Sequence, residues 1–211
     1  MSKFIKFTPL WRGKKNRGFS LLETLVAISI FTVSLLGIMS VLATSISDTT
    51  YAKQKMVATY LAQEGIEYIR NMRDTFVLYD TTPPPPSPAQ HGWDAFNDNL
   101  LSNSCRRDKN PNGCWFGDLP DTAYAYPSQP MTLIPLSFCN DSICSAHPLL
   151  YHASTGKYDY VSSGVASGFT RQIKAEVVSS DETKITSAVY WKQGSGNYNV
   201  TFSENLFNWI Q

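Results

Sequence analysis

The sequence of 211 residues predicts an α+β protein, in which one long amino-terminal helix packs on a small antiparallel β-sheet and a loop-rich insertion separates the two. Three observations predict this fold class. Residues 19–47 are almost wholly apolar, residues 48–76 have the spacing of an amphipathic helix, and residues 151–211 show the alternation of β-strands. With 43% hydrophobic and 17% charged residues, the chain can form one ordinary domain plus an additional element.

The first element is long and apolar enough to cross a membrane. From Thr24 to Ile46 there are 23 residues without a formal charge, enough for a membrane-spanning helix. A buried core helix is the alternative, but core helices are rarely this uniformly apolar. Residues 1–18 carry six of the 18 bases and no acid, which favours a cytoplasmic amino terminus. The other 12 bases face 17 acids, so the chain after this basic leader is acidic.

The stretch RGFSLLETLVAISIF places a small residue before the apolar segment and an acid inside it. Ordinary signal peptides are cut after their apolar stretch, where this chain has only a weak candidate at residues 43–45. Cleavage after Gly18 would instead leave the apolar helix on the mature chain and create an amine at Phe19. A carboxylate in a membrane helix costs roughly 2.5–3.5 kcal/mol, so Glu23 should lie at an interface, be neutral or be paired.

This segment resembles the type III signal of type IV pilins and pseudopilins, and its LLETLVAI stretch is most similar to PilV-type minor pilins. The resemblance implies cleavage by a prepilin peptidase between Gly18 and Phe19, followed by N-methylation of Phe19. It also implies that Glu23 forms an assembly salt bridge, either within its own chain or with the amine of a neighbouring subunit. The long helix on an antiparallel sheet is the pilin fold, which the periodicity predicts independently.

The resemblance implies a minor type IV pilin-like structural subunit, not an enzyme, without a cofactor. Its partners would be other pilin subunits, the prepilin peptidase and an inner-membrane assembly platform. We expect a single-pass protein of the cytoplasmic membrane that later enters an extracellular or periplasmic filament. Two alternatives remain open: a type II secretion pseudopilin, and an adhesin or DNA-binding minor pilin displayed on the filament.

Residues 48–76 predict that the same helix continues, giving one element from Phe19 to about Asp74. Apolar residues recur there at spacings of three and four, which is typical of an amphipathic helix packed on a globular head. This predicted stripe consists of Val57, Leu61, Gly65, Tyr68 and Met72, widened by Tyr60 and Ile69. The opposite, solvated face carries Lys53, Gln63, Glu67 and Arg70.

Residues 77–150 predict a proline-rich linker followed by a disulfide-containing loop region. Four consecutive prolines at 83–86 forbid a helix, and the following residues show little periodicity. Four cysteines lie in the external part, where disulfides are expected. The simplest pairing is Cys105 with Cys114 and Cys139 with Cys144, although four cysteines allow three pairings.

This region contains residues that could form two kinds of metal site or a nucleic-acid site. His147 and His152 follow Cys144, but the spacing lacks the usual separation between two zinc-ligand pairs. Residues 108–113 match the first half of a calcium loop, but Leu119 stands where the bidentate Glu belongs. No metal is therefore predicted.

Arg106, Arg107 and Lys109 lie beside Trp115 and Phe116, and bases combined with aromatic rings can bind single-stranded nucleic acid. Three bases on an acidic mature chain are few, so an exposed, disulfide-closed loop is favoured and nucleic acid is not expected as a partner.

Residues 151–211 predict a meander of three antiparallel strands, because three alternating runs are separated by the turns SSDET and KQGSGN. One face of this sheet should be buried, and its apolar residues are Phe169, Ile173, Ala175, Val177, Ile185, Val189, Trp191, Tyr198, Val200 and Phe202. One or two earlier strands, around PLLYHA and KYDYVSS, are expected to join the sheet.

Overall fold

The computed structural model describes residues 18, 20–78, 92–102, 105–108, 110–117 and 136–209. The chain divides into two compact units, Met1–Asp48 and Thr49–Gln211. The elements, in chain order, are α1 (Leu21–Leu78), α2 (Gly92–Ser102), β1 (Cys114–Phe116), β2 (Leu136–Phe138), β3 (Pro148–His152), β4 (Lys157–Asp159), β5 (Val165–Ser179), β6 (Glu182–Gln193) and β7 (Gly196–Phe207). The leader apart from Gly18, the proline run 83–86, Phe19 and Lys109 lie outside the described residues.

The predicted long helix is confirmed as α1, which ends at Leu78 rather than near Asp74. In the first unit the described part of α1 is exposed along its whole length, apolar side chains included. In the second unit one face of α1 is buried, because it packs on the sheet. The change in burial follows the change in the sequence from uniformly apolar to amphipathic.

The described strands form one antiparallel sheet around the central strand β5. One edge of β5 pairs with β6 from Phe169 to Ser179, and β6 pairs with β7, so the predicted three-strand meander is confirmed. The other edge of β5 pairs with β3 near Val165–Thr170 and with β1 at Ile173. Strands β3 and β4 are the earlier strands that the sequence predicted, and β2 extends the sheet beyond β1.

The core lies between α1 and one face of β5, β6 and β7, which is the face that the alternation predicted to be buried. The prediction was wrong for Val177 and Tyr198, which are 40% and 37% exposed. Ile173, Ile185 and Val189 are fully buried there. The predicted stripe on α1 was partly wrong, since Tyr60 is 66% exposed and the contact also uses Ala58, Ala62 and Ile66. Because the small alanine side chains let the helix approach the sheet closely, the buried stripe lies on the alanine side of the predicted one.

Gly65 is a point of close approach between α1 and the sheet. A Cβ atom at this position would lie 2.5 Å from Ser187 Oγ, 3.1 Å from Ile173 Cδ1 and 3.2 Å from Arg171 Cδ. Glycine inside a helix costs about 1 kcal/mol relative to alanine. Here that cost is offset by the packing that the missing side chain permits.

The interval 92–150, which we expected to consist of loops, contains α2 and three short strands. Helix α2 buries Trp93, Phe96 and Leu100, whose spacing of three and four residues was the signal that could have predicted it. Its exposed face is rich in Asn and Asp, which are poor helix formers, and this composition masked the period. The helix is fixed to the β5–β6 turn, where Trp93 Nε1 donates to the Ser180 carbonyl oxygen at 2.7 Å.

Candidate functional site

The start of α1 is open to solvent and carries the predicted acid. Gly18 is exposed, and a Cβ atom at this position would meet nothing within 4 Å. The Thr24 N–H donates to the Ser20 carbonyl oxygen at 3.1 Å, and the helix begins at Leu21. Glu23 lies in the first turn, where the positive end of the helix dipole favours a carboxylate. The predicted cleavage point is thus accessible on its Gly18 side, whereas Phe19 is not described.

The apolar half of α1 presents a continuous hydrophobic surface. Its most apolar stretch has no buried residue, and by length and composition the helix can cross a membrane. Large side chains such as Leu25, Phe31 and Leu36 are more than half exposed. An exposed surface of this kind requires lipid or other protein to cover it.

Several hydroxyl groups on this apolar surface are bonded to the helix itself. Ser29 Oγ donates to the Leu25 carbonyl oxygen at 2.8 Å, and Ser34 Oγ donates to the Ile30 carbonyl oxygen at 2.8 Å. Thr44 Oγ1 bonds in the same way to the carbonyl oxygen of Ser40 at 3.1 Å. These back-bonds satisfy the hydroxyl groups that make them, so Ser and Thr at these positions are compatible with an apolar environment. Glu23 is then the one formal charge on this part of the helix.

In the second unit, a buried arginine fixes α1 to the sheet. The side chain of Arg171 is 5% exposed, and its Nη1 donates to Glu64 Oε2 at 2.7 Å and to the Leu61 carbonyl oxygen at 3.0 Å. Its guanidinium lies over the rings of Phe116 and Tyr160, 4.7 Å and 5.9 Å from their centroids. Sequence analysis missed this residue, although it lies between Phe169 and Ile173 in register with the buried face of β5.

A second, more exposed ion pair joins α1 to β7. Arg70 Nη2 lies 2.6 Å from Glu204 Oε2, and its Nη1 lies 2.6 Å from Glu67 Oε1. The hydrogen bonds that Arg70 donates to the Glu204 carboxylate raise the pKa of Arg70 above its usual value, so the arginine stays charged at any physiological pH. We predicted Glu67 and Arg70 to lie on a solvated face, and the structure instead brings Arg70 against the rim of the sheet.

The four cysteines form two disulfides, Cys105–Cys114 and Cys139–Cys144, with Cα–Cα distances of 4.7 Å and 5.0 Å. This is the pairing that the sequence analysis considered simplest. The two closed loops meet on the outer side of β5, where Gln172 Nε2 donates to the carbonyl oxygens of Asn112 at 2.6 Å and Ser142 at 2.7 Å. Gln172 is buried, and its Oε1 accepts from the Tyr190 hydroxyl at 3.1 Å.

The residues of the nucleic-acid alternative do not form an open binding surface in the described part of the structure. Trp115 and Phe116 are buried in the core, so neither ring is open to stack on a base. Arg106 Nη2 lies 3.0 Å from Asp108 Oδ2, and Arg107 Nη1 lies 3.6 Å from Glu176. Lys109 lies outside the described residues. Paired cations beside buried rings lack the exposed stacking surface that single-stranded binding uses.

The residues of the two metal alternatives have other contacts. His147 stacks on Trp115 with ring centroids 3.8 Å apart, and His152 Nε2 lies 2.7 Å from Asp159 Oδ1. In the calcium-like loop, Asn110 Nδ2 donates to the Gly113 carbonyl oxygen at 3.1 Å. Among the residues that the structure describes, no group of three or more His, Cys, Asp or Glu side chains could hold a metal ion.

Residues 13–45 match the family model described as the prokaryotic N-terminal methylation motif. The match begins in the basic leader and includes Gly18, Glu23 and nearly all of the apolar segment. It identifies a prepilin-type amino-terminal signal, which is typical of type IV pilins and pseudopilins. No curated protein and no solved structure matches the chain.

Proposed function

We propose that this chain is a minor type IV pilin-like structural subunit, cut by a prepilin peptidase after Gly18, N-methylated at Phe19 and assembled into a filament through its apolar helix. One observation carries this proposal. The matched methylation motif lies on a helix whose apolar surface is fully exposed and bears a single carboxylate in its first turn. The described residues offer no catalytic constellation that would favour an enzyme instead.

The same surface serves two environments in succession. Before assembly, the helix lies in the cytoplasmic membrane, with the basic leader in the cytoplasm and the sheet on the opposite side. After cleavage, neighbouring pilin subunits replace the lipid around the helix. The partners are therefore other subunits, the prepilin peptidase and the inner-membrane assembly platform.

Glu23 directs that assembly by charge. Cleavage after Gly18 creates an ammonium group at Phe19, and in a bundle of apolar helices the carboxylate and such an amine attract each other strongly. At 4 Å and an effective dielectric constant of 20, the attraction is roughly 4 kcal/mol. A pair of this strength favours one axial offset between neighbouring subunits over the others.

The test is mass spectrometry of the mature protein purified from the membrane and from sheared filaments. We expect a chain that starts at Phe19 and carries one N-methyl group. Gly18→Leu, which removes the small residue at the cleavage point, should leave the leader attached, while Gly37→Leu in the apolar half of α1 should be processed normally. A mature terminus at Met1, or one near Ser45, would refute the proposed processing.

A further inference from the structure

A groove of about 510 Å³ lies between α1 and β7 in the second unit. Tyr60 of α1 and Phe202 of β7 supply its aromatic surface, and Glu67 and Glu204 stand on its rim. Tyr60 lines the groove and is 66% exposed, and no described residue fills the groove. The groove is therefore open and combines an apolar wall with carboxylates.

Among the described residues, nothing pairs with the outer edge of the strand beside this groove. β7 pairs with β6 along all of Gly196–Phe207 without a bulge, and no other described strand pairs with β7. In an antiparallel ladder, alternate residues direct their N–H and C=O groups to opposite sides, so alternate residues of β7 present these groups away from β6. The strand contains no Pro, Lys or Arg, and its one charged residue, Glu204, is engaged by Arg70.

Natural edge strands are usually short, bulged, or interrupted by Lys or Pro, because a long regular edge is a template for another strand. The other edges of this sheet follow that rule, since β2 and β4 are three residues long. At 12 residues, β7 does not. An open groove and an unprotected edge thus lie side by side.

We propose that the β7 edge and the adjoining groove form a docking site for an extended, basic segment of a partner protein, which adds to the sheet as a strand next to β7. Strand addition obtains its affinity from main-chain hydrogen bonds and its specificity from pockets that receive alternate side chains. This site goes beyond the filament role and does not depend on it.

The charges around the groove specify the chemistry of the segment. Three carboxylates surround it, those of Glu64, Glu67 and Glu204, against the two cations Arg70 and Arg171. Arg171 is buried and engaged by Glu64, while Arg70 is shared between the other two carboxylates, so the rim keeps an excess of negative charge. A Lys or Arg side chain fits this site, because its alkyl stem can cover the aromatic rings while its charge stays at the rim.

The same charges disfavour a second copy of this chain as the occupant. Pairing of β7 with β7 from another molecule would bring two acidic rims together and would supply no basic residue, since β7 has none. Like charges placed opposite each other are destabilising. The occupant is therefore a different, basic strand.

The test uses the full-length protein in detergent and a short synthetic peptide in which Val and Thr alternate, with Lys on one face. Amide hydrogen exchange of β7 is measured with and without the peptide. We expect the peptide to slow exchange at alternate β7 amides, and we expect its affinity to fall about tenfold, which corresponds to 1.4 kcal/mol, in Glu67→Lys and in Tyr60→Ala. Met56→Ala is the matched control, since Met56 is 61% exposed on α1 and does not line the groove.

Two further peptides separate the contribution of the Lys charge from that of the main-chain hydrogen bonds. A peptide with Glu in place of Lys should bind at least about tenfold more weakly, and a peptide with N-methylated backbone amides should not protect β7. The proposal is overturned if the Lys peptide leaves β7 exchange unchanged at saturation, or if the N-methylated peptide protects equally well. Protection of β7 by self-association, detected by sedimentation without any peptide, would also overturn it in favour of a second copy.

Discussion

At the scale of single residues, the ion pair between Arg171 and Glu64 joins a buried side chain to an exposed one. The arginine side chain is 5% exposed and the side chain of its partner Glu64 is 51% exposed, so almost all of the desolvation falls on the cation. A buried charge without a partner is much more costly than a buried apolar group of similar size. Removing Glu64 should therefore lower the free energy of unfolding more than removing Arg171.

We predict that Glu64→Gln lowers the free energy of unfolding by about 2–3 kcal/mol, because it leaves the buried guanidinium without its carboxylate. Arg171→Met removes the buried charge, keeps most of the contact with Phe116, and should cost less than about 1 kcal/mol. Chemical denaturation of the two variants measures the difference, with Gln63→Ala on the exposed face of α1 as the control. A larger loss in Arg171→Met than in Glu64→Gln would contradict this account.

At the scale of elements, the two disulfide loops differ in their attachment to the sheet. The loop 105–114 is bonded directly to the central strand, since the Ala175 N–H donates to the Cys105 carbonyl oxygen at 2.9 Å and the Arg107 N–H donates back to Ala175 at 2.9 Å. The loop 139–144 reaches β5 through Gln172. The first loop thus continues the sheet, whereas the second covers it.

We predict that each disulfide contributes roughly 2–3 kcal/mol, because both close short loops of the unfolded chain. Replacing Cys105 and Cys114 by Ser should also speed amide exchange at residues 173–175 of β5, where the loop is bonded to the strand. Replacing Cys139 and Cys144 by Ser should leave that exchange near its parental rate. Equal acceleration in both double variants would show that the first loop has no special attachment to the sheet.

At the scale of the whole molecule, the assembly role proposed for the carboxylate of Glu23 can be tested by removing its charge. We predict that Glu23→Gln and Glu23→Val insert more readily, because the cost of roughly 2.5–3.5 kcal/mol for a charge in the membrane is gone. Both variants should still be cut after Gly18, since the cleavage point is unchanged. Incorporation into filaments should fall, because the carboxylate no longer meets an amine in a low dielectric.

The measurement for this prediction is the ratio of the protein in sheared filaments to that left in membranes. Ser29→Ala, a neutral change on the same apolar surface, is the control and should leave the ratio at its parental value. An unchanged ratio in Glu23→Gln, with normal processing, would mean that the carboxylate does not set the offset between subunits.

Much of the molecule could be predicted from local patterns. The apolar run, the period of the second half of α1 and the alternation of β5, β6 and β7 each repeat over many residues, and repetition makes such signals reliable. Helix α2 has too few turns to show its period above its polar composition. Arg171 and Gln172 could not be recognised, because their roles depend on partners such as Glu64 and Ser142, which are distant in the sequence.

The hydroxyl groups bonded to the backbone of α1 have a consequence for how the helix changes its surroundings. Because these hydroxyl groups are already hydrogen-bonded to the backbone, they need no polar partner, either among acyl chains or among other helices. Moving the helix from lipid into a bundle then exchanges one apolar solvent for another, and the hydrophobic effect contributes little to the difference. In the proposed assembly, the direction of that transfer is then left to shape complementarity between helices and to the single acid in the first turn.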